Sequence, residues 1–122
     1  SVVQHDTAFD LTQLEVDGQP LLVNHLPHSP GQIRRVRIPA RDVSVCRARP
    51  QDSSILNILA VTVSEIEDTD SARVLLRLSL GSQFLLARIT RKSAVELRLQ
   101  VGDPIYAQIK SAALLMEASD TA

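Results

Sequence analysis

Arg73-Val74-Leu75-Leu76-Arg77-Leu78-Ser79-Leu80, then Gly81-Ser82, then Gln83-Phe84-Leu85-Leu86-Ala87-Arg88-Ile89, is the stretch that decides the fold class of this chain. Val74, Leu76, Leu78 and Leu80 fall on one side of a period-two alternation; Arg73, Leu75, Arg77 and Ser79 fall on the other. That period belongs to a β-strand with one buried face. Gly81-Ser82 reads as a tight turn, and the run from Gln83 returns beside the first. The spacing predicts a hairpin.

The same alternation extends in both directions. Ile58 to Ile66 is a β-branched strand. Gly102-Asp103-Pro104 is a turn, with proline tolerated as the first residue of the strand that follows. Ile105, Ala107 and Ile109 then face inward, against Tyr106, Gln108 and Lys110. Towards the amino end, Phe9 to Val16 and Pro20 to Val23 flank Asp17-Gly18, a strong hairpin signal. The phase slips between Phe9/Leu11 and Leu14/Val16, which predicts a bulge. Asn24 to Gly31 reads as a loop, while Ile33 to Ile38 and Val43 to Cys46 read as two short strands. One helix is expected: Ser93-Ala94-Val95-Glu96 has the spacing of a capping box, and the apolar pattern ends by Leu99. Short strands, Gly/Pro turns and one small helix predict an all-β, OB-fold-like Greek-key barrel. Arg49-Pro50-Gln51-Asp52 is the expected seam between an amino-terminal β extension (1–50) and the OB-like domain (51–117), with a disordered tail over 118–122.

Composition removes several function classes. Thirteen basic and fourteen acidic residues leave a net charge of −1, which lacks the positive excess that nucleic-acid binding requires. Phe9, Phe84 and Tyr106 are the only aromatics, too few for a base-stacking platform. No nucleic-acid partner is expected. Apolar runs such as Ile58 to Val61 and Phe84 to Ala87 are far shorter than the roughly 20 residues of a membrane helix. The chain starts at Ser1 without a leader pattern and reads as a soluble piece of a longer protein. A single cysteine, Cys46, fits a reducing cytoplasm and reads as a small buried hydrophobe.

Catalytic machinery is not expected. There is no Gly-x-x-x-x-Gly-Lys-Ser/Thr phosphate loop and no Cys/His cluster with zinc spacing. His25 and His28 flank Pro27 and read as loop residues rather than metal ligands. Asp42 and Ser44 with a distant histidine have no nucleophile elbow to position them. The chain reads as a non-enzyme.

From Ser54 to Leu115 the sequence resembles the Mop family, the molybdate-binding branch of the transport-associated OB (TOBE) domains. Ser54-Ile55-Leu56-Asn57 resembles the family's Ser-x-Arg-Asn opening. Ala87-Arg88-Ile89-Thr90 with Ser93 and Glu96-Leu97 resembles its Ile-Thr-x-x-Ser-x-x-x-Leu stretch, and Tyr106-Ala107-Gln108-Ile109-Lys110-Ser111 resembles its closing strand. Arg37 to Ser44, leading to Arg49-Pro50, resembles the run that follows the ATPase domain in molybdate importers. The resemblance implies the C-terminal accessory domain of the ATP-binding subunit of a molybdate ABC transporter. It implies a cytoplasmic domain that forms a homodimer, with the parent at the cytoplasmic face of the inner membrane beside its permease.

The same resemblance implies an oxyanion site at a subunit interface. No cofactor is implied; molybdate or tungstate is the ligand. The matched donors are Ser54, Asn57, Thr90, Ser93, Lys110 and Ser111. A micromolar site needs about 8 kcal/mol, and four hydrogen bonds to a charged group at roughly 1.5–3 kcal/mol each suffice. Where the family carries arginine this chain has Leu56, which leaves open whether side chain or backbone amide meets the anion there. Two other readings stay open: a purely structural dimerisation module with a degenerate anion site, and a protein-docking domain using Arg34, Arg35 and Arg37.

Overall fold

A computed structural model describes residues 2–6, 11–16, 18–24, 34–109 and 115–118. The elements in chain order are β1 (Val2–Asp6), β2 (Leu11–Val16), β3 (Gln19–Asn24), β4 (Arg34–Arg37), a 3-10 turn (Ala40–Asp42), β5 (Val43–Cys46), β6 (Asn57–Asp68), β7 (Arg73–Leu80), β8 (Gln83–Thr90), α1 (Arg91–Glu96), β9 (Pro104–Ile109) and β10 (Leu115–Ala118).

The β7–β8 hairpin forms in the expected register, from Arg73 opposite Thr90 to Leu80 opposite Gln83. Its two-residue turn begins with Gly81 at φ 62°, a value a side chain resists and glycine accepts. Alternation then sets the core. Val74, Leu76, Leu78 and Leu80 are buried from β7, Leu85 and Ala87 from β8, Leu59, Val61 and Val63 from β6, and Ile105, Ala107 and Ile109 from β9. Val43 of β5 and Leu21 of β3 complete the cluster.

These strands form one five-stranded antiparallel sheet in the order β5-β9-β6-β7-β8. β6 carries both β7 and β9, and it bends at a bulge where Ser64 has no partner between Val63 and Glu65. The Ser64 hydroxyl donates to the Arg77 carbonyl (2.9 Å), so the displaced residue still closes a bond across the pair. The bend curls the sheet until β8 packs against β5 and the 3-10 turn. This is the curled OB-like half-barrel with one short helix that the strand pattern predicts.

Two strand pairings cross residue 50. β5 precedes the seam, yet it is hydrogen-bonded to β9 from Val43 opposite Ile109 to Cys46 opposite Tyr106. β10 follows the barrel, yet it pairs with β4. Each half of the chain therefore completes a sheet of the other. Ala118, placed by the sequence in a disordered tail, is the last residue of β10. β9 is flanked by strands on both sides.

β1, β2 and β3 form a separate three-stranded sheet, with Gly18 in the turn at φ 78°. The predicted irregularity is present but sits in the partner: Val2 pairs with Leu14 and Gln4 with Gln13, so the extra residue is in β1 while β2–β3 runs unbroken. The Asn24–Gly31 loop with its two histidines lies, apart from Asn24, outside the described residues.

Two side-chain clamps fasten β3 to β6. The Leu22 N–H donates to Asn57 Oδ1 (2.6 Å) and Asn57 Nδ2 donates to the Leu22 carbonyl (2.7 Å). Three residues along, Gln19 Nε2 donates to the Ala60 carbonyl (3.0 Å) and the Ala60 N–H donates to Gln19 Oε1 (2.8 Å). Each amide imitates a peptide group and extends the backbone ladder between strands that are not neighbours in one sheet. Asn57→Ala leaves both Leu22 groups unpaired at a half-buried site, and urea unfolding is expected to show a loss of about 2–4 kcal/mol. A fragment of residues 51–122 lacks β5 and exposes one edge of β9; it is expected to lose cooperative melting, whereas the full chain keeps it.

Candidate functional site

Thr90 ends β8 with extended backbone and caps α1, its Oγ1 accepting the Ser93 N–H at 3.1 Å. The helix therefore starts three residues before the expected capping box. Ser93 is a residue of its first turn rather than its cap, and Glu96 lies 3.8 Å from Lys92 rather than bonding back to the start. Thr90 won because its hydroxyl precedes Ser93 by the three residues that N-capping requires.

The Thr90 hydroxyl also donates to Ser93 Oγ at 2.9 Å. One proton is consumed between the two oxygens, so the pair keeps one O–H for an outside acceptor. Thr90 borders a depression of about 490 Å³ whose lining also includes Ser71, Ala72, Arg91, Lys92, Val95 and the carboxylate-bearing Glu96. Arg91 is not free there. Its guanidinium donates to Asp68 Oδ1 (2.9 Å) and to the carbonyls of Ser71 and Asp70, and its N–H donates to the Ala72 carbonyl (2.8 Å). Asp70 in turn accepts the N–H groups of Ala72 and Arg73, which holds its carboxyl below the ordinary range. The β6–β7 turn and the start of α1 are thereby one bonded unit, and Lys92 is the exposed cation beside it.

The other end of α1 is fixed as firmly. The Arg98 N–H donates to Val95 O and the Leu99 N–H to Ala94 O, a Schellman pairing that places Arg98 at φ 53°. Arg47, just past β5, donates Nε to the Leu97 carbonyl (2.7 Å) and Nη2 to the Arg98 carbonyl (2.6 Å) and to Asp103 Oδ2 (2.7 Å). A cation against the free carbonyls of a helix end is favourable, and here it offsets the left-handed residue.

Of the six expected donors, the four that lie among the described residues are not gathered around one point. Asn57 begins β6, opposite Ile109, while Thr90 is opposite Arg73 near the other end of the sheet. Asn57 is buried, with its oxygen and one N–H committed to Leu22. Ser54 is exposed before β6, and Leu56 beside it is also exposed. Lys110 and Ser111 lie outside the described residues, immediately after Ile109. The clamping residues Gln19, Arg47 and Arg91 were not singled out from sequence, since their partners lie far off in the chain. Cys46 is half-buried with its thiol near the Ala48 carbonyl (3.2 Å), and burial raises its pKa. Among the described residues no three His, Cys, Asp or Glu side chains converge as a metal site, and no helix is long and apolar enough to cross a membrane.

Residues 53–116 match the TOBE domain family. The chain belongs to it. It is 49% identical over 115 residues to the molybdenum import ATP-binding protein ModC 2 of Azotobacter vinelandii, covering 93% of this chain and 32% of that protein. It is 47% identical over 118 residues to the ModC protein of Pseudomonas aeruginosa, covering 94% and 33%. The chain thus spans about a third of the length of the curated relatives it matches. The fold is shared with the crystal structure of the cytoplasmic molybdate-binding protein ModG with molybdate bound, at a TM-score of 0.78 and 18% identity over 98% of this chain and 90% of that one.

The frame around α1 carries a pH dependence with a defined sign. The bond from Arg47, with the Gln100 N–H, holds Asp103 below the ordinary carboxylate range. A lowered folded pKa adds stability above the unfolded value of about 3.9 and loses it as pH falls through the folded value. In melts from pH 7 to pH 2.5, Asp103→Asn is expected to be less stable than wild type by a constant margin above about pH 5, a margin that shrinks below about pH 4.

Proposed function

We propose that this chain is the accessory domain of a molybdate importer's ATP-binding subunit, and that two copies pair through it around a molybdate or tungstate oxyanion. The observation that carries the reading is the exposed Thr90–Ser93 hydroxyl pair, held on a bonded frame at a place matching the Mop family's Ile-Thr-x-x-Ser stretch. The ModC relatives, similar over more than nine-tenths of this chain, support the transporter context. Thr90 and Ser93 of one copy, facing Ser54, Lys110 and Ser111 of the other, supply hydroxyls and one ammonium to a tetrahedral dianion. Because Thr90 and the start of β6 at Asn57 stand at separate ends of one sheet, donors drawn from both ends meet only when two copies come together. Asn57 then acts by holding the start of β6 rather than by donating to the anion.

A ligand bound across two copies stabilises whichever arrangement of the parent forms the site, and so couples cytoplasmic oxyanion to transport. ATP hydrolysis belongs to another part of such a parent, since this sequence has no phosphate loop. The permease and the ATPase domain are its further partners at the cytoplasmic face of the membrane.

The second reading is a pairing module whose anion site has decayed; Leu56, exposed where the family has arginine, favours it. Calorimetry with molybdate separates the two. Micromolar binding is expected, with Ser93→Ala weakening it roughly ten- to a hundredfold while the Thr90 cap stays intact. Lys110→Ala with Ser111→Ala is expected to weaken binding at least as much. No heat, and no rise in melting temperature at millimolar molybdate, would leave only the pairing module.

A further inference from the structure

Lys92 and Glu96 stand where the stability of a helix does not call for them. Lys92 is in the first turn of α1 and Glu96 is its last residue, so the cation lies at the positive end of the helix and the carboxylate at the negative end. A lysine four residues before a glutamate is also the less favourable order for a helical ion pair. The charged atoms are 3.8 Å apart, beyond hydrogen-bond length, and the side chains are 83% and 66% exposed. A contact of this kind adds little to the fold.

Their position gives the pair another use. Both side chains line the depression that Thr90 borders. Arg91, the other cation there, is spent on Asp68 and on the Ser71 and Asp70 carbonyls. Lys92 is not: at its distance from Glu96 the ammonium protons remain available to an acceptor. A dianion resting on the Thr90 hydroxyl attracts this ammonium and repels the Glu96 carboxylate, so it competes with Glu96 for the same cation. The helix itself supplies no donor to this arrangement, since it is six residues long and its Ser93 N–H is already bonded to Thr90.

We propose that Lys92 is a further ligand of the oxyanion site and that Glu96 restrains it. With the site empty the ammonium rests against Glu96; with the anion bound it turns to the anion. Glu96 thereby sets the concentration at which the site fills, because the anion has to displace a carboxylate already present. The inference rests on the proposed oxyanion reading of Thr90 and Ser93, and adds one ligand and one competitor to it.

Calorimetric titration of sodium molybdate into the chain tests it, at a fixed salt concentration of about 0.15 M, with wild type, Lys92→Gln, Glu96→Gln and the double variant. Both positions are exposed, and each variant is expected to melt within about 4 °C of wild type. Lys92→Gln is expected to weaken binding about tenfold, and Glu96→Gln to tighten it about three- to fivefold. In the Lys92→Gln background the Glu96→Gln change is expected to move affinity by less than about 1.5-fold, because no ammonium is left to release. Tightening by Glu96→Gln that persists undiminished without Lys92 shows a carboxylate acting by repulsion alone and overturns the competition. Wild-type binding that Lys92→Gln leaves unchanged overturns the added ligand while the oxyanion reading stands. Wild type that gives no heat overturns that reading, and this inference with it.

Discussion

A strand inside a sheet has two rows of backbone N–H and C=O groups, and both must be hydrogen-bonded where water is excluded. In β9 these rows are filled by β6 on one side and β5 on the other, both earlier in the chain. Ile109, fully buried, has Asn57 opposite it on one flank and Val43 on the other. The OB-like barrel is thereby tied to the segment before residue 50, and the exchange of β10 to β4 ties it a second time. Everything at the candidate site inherits its position from this arrangement. β6 is held at its start by Asn57, bent at Ser64 and continued into the turn that Arg91 grips.

The helix at the site is too short to be stable alone, since isolated helices below about 12 residues are marginal in water. Its six residues persist because each end is bonded to a different part of the sheet. Arg91 joins its first turn to the β6–β7 loop, and Arg47 joins its last carbonyls to the end of β5. Two arginines therefore serve the frame, and the polar groups left facing outward there are small hydroxyls and the Lys92–Glu96 pair.

Much of this was legible in the sequence. Period-two alternation placed the inward faces of β7 and β9 residue by residue, because each strand buries one face and exposes the other. Asp17-Gly18 and Gly81-Ser82 announced their turns through glycine. The destinations of β5 and β10 were not legible: four-residue strands carry too little pattern to show which sheet they join. β1 was missed for a related reason, since its bulge interrupts the alternation that would reveal it. At the site, the Thr-x-x-Ser spacing was visible, but the capping-box spacing pointed to Ser93, whereas the extended backbone of Thr90 makes that residue the cap. Asn57 stood out by resemblance, while its engagement with Leu22 depends on a contact 35 residues away.

The exchange of strands also sets the order in which this chain can assemble. Cys46 and Tyr106, paired across β5 and β9, are 60 positions apart, and the β4–β10 ladder spans about 80. Local hairpins such as β7–β8 close within microseconds, but β4 and β5 find their partners only once β10 and β9 have been synthesised. Until then β4 and β5 wait as unpaired edges on the emerging polypeptide, open to capture by a neighbouring chain. Such wiring makes the stability of the first half depend on β9 and β10, with β10 locking β4 in place.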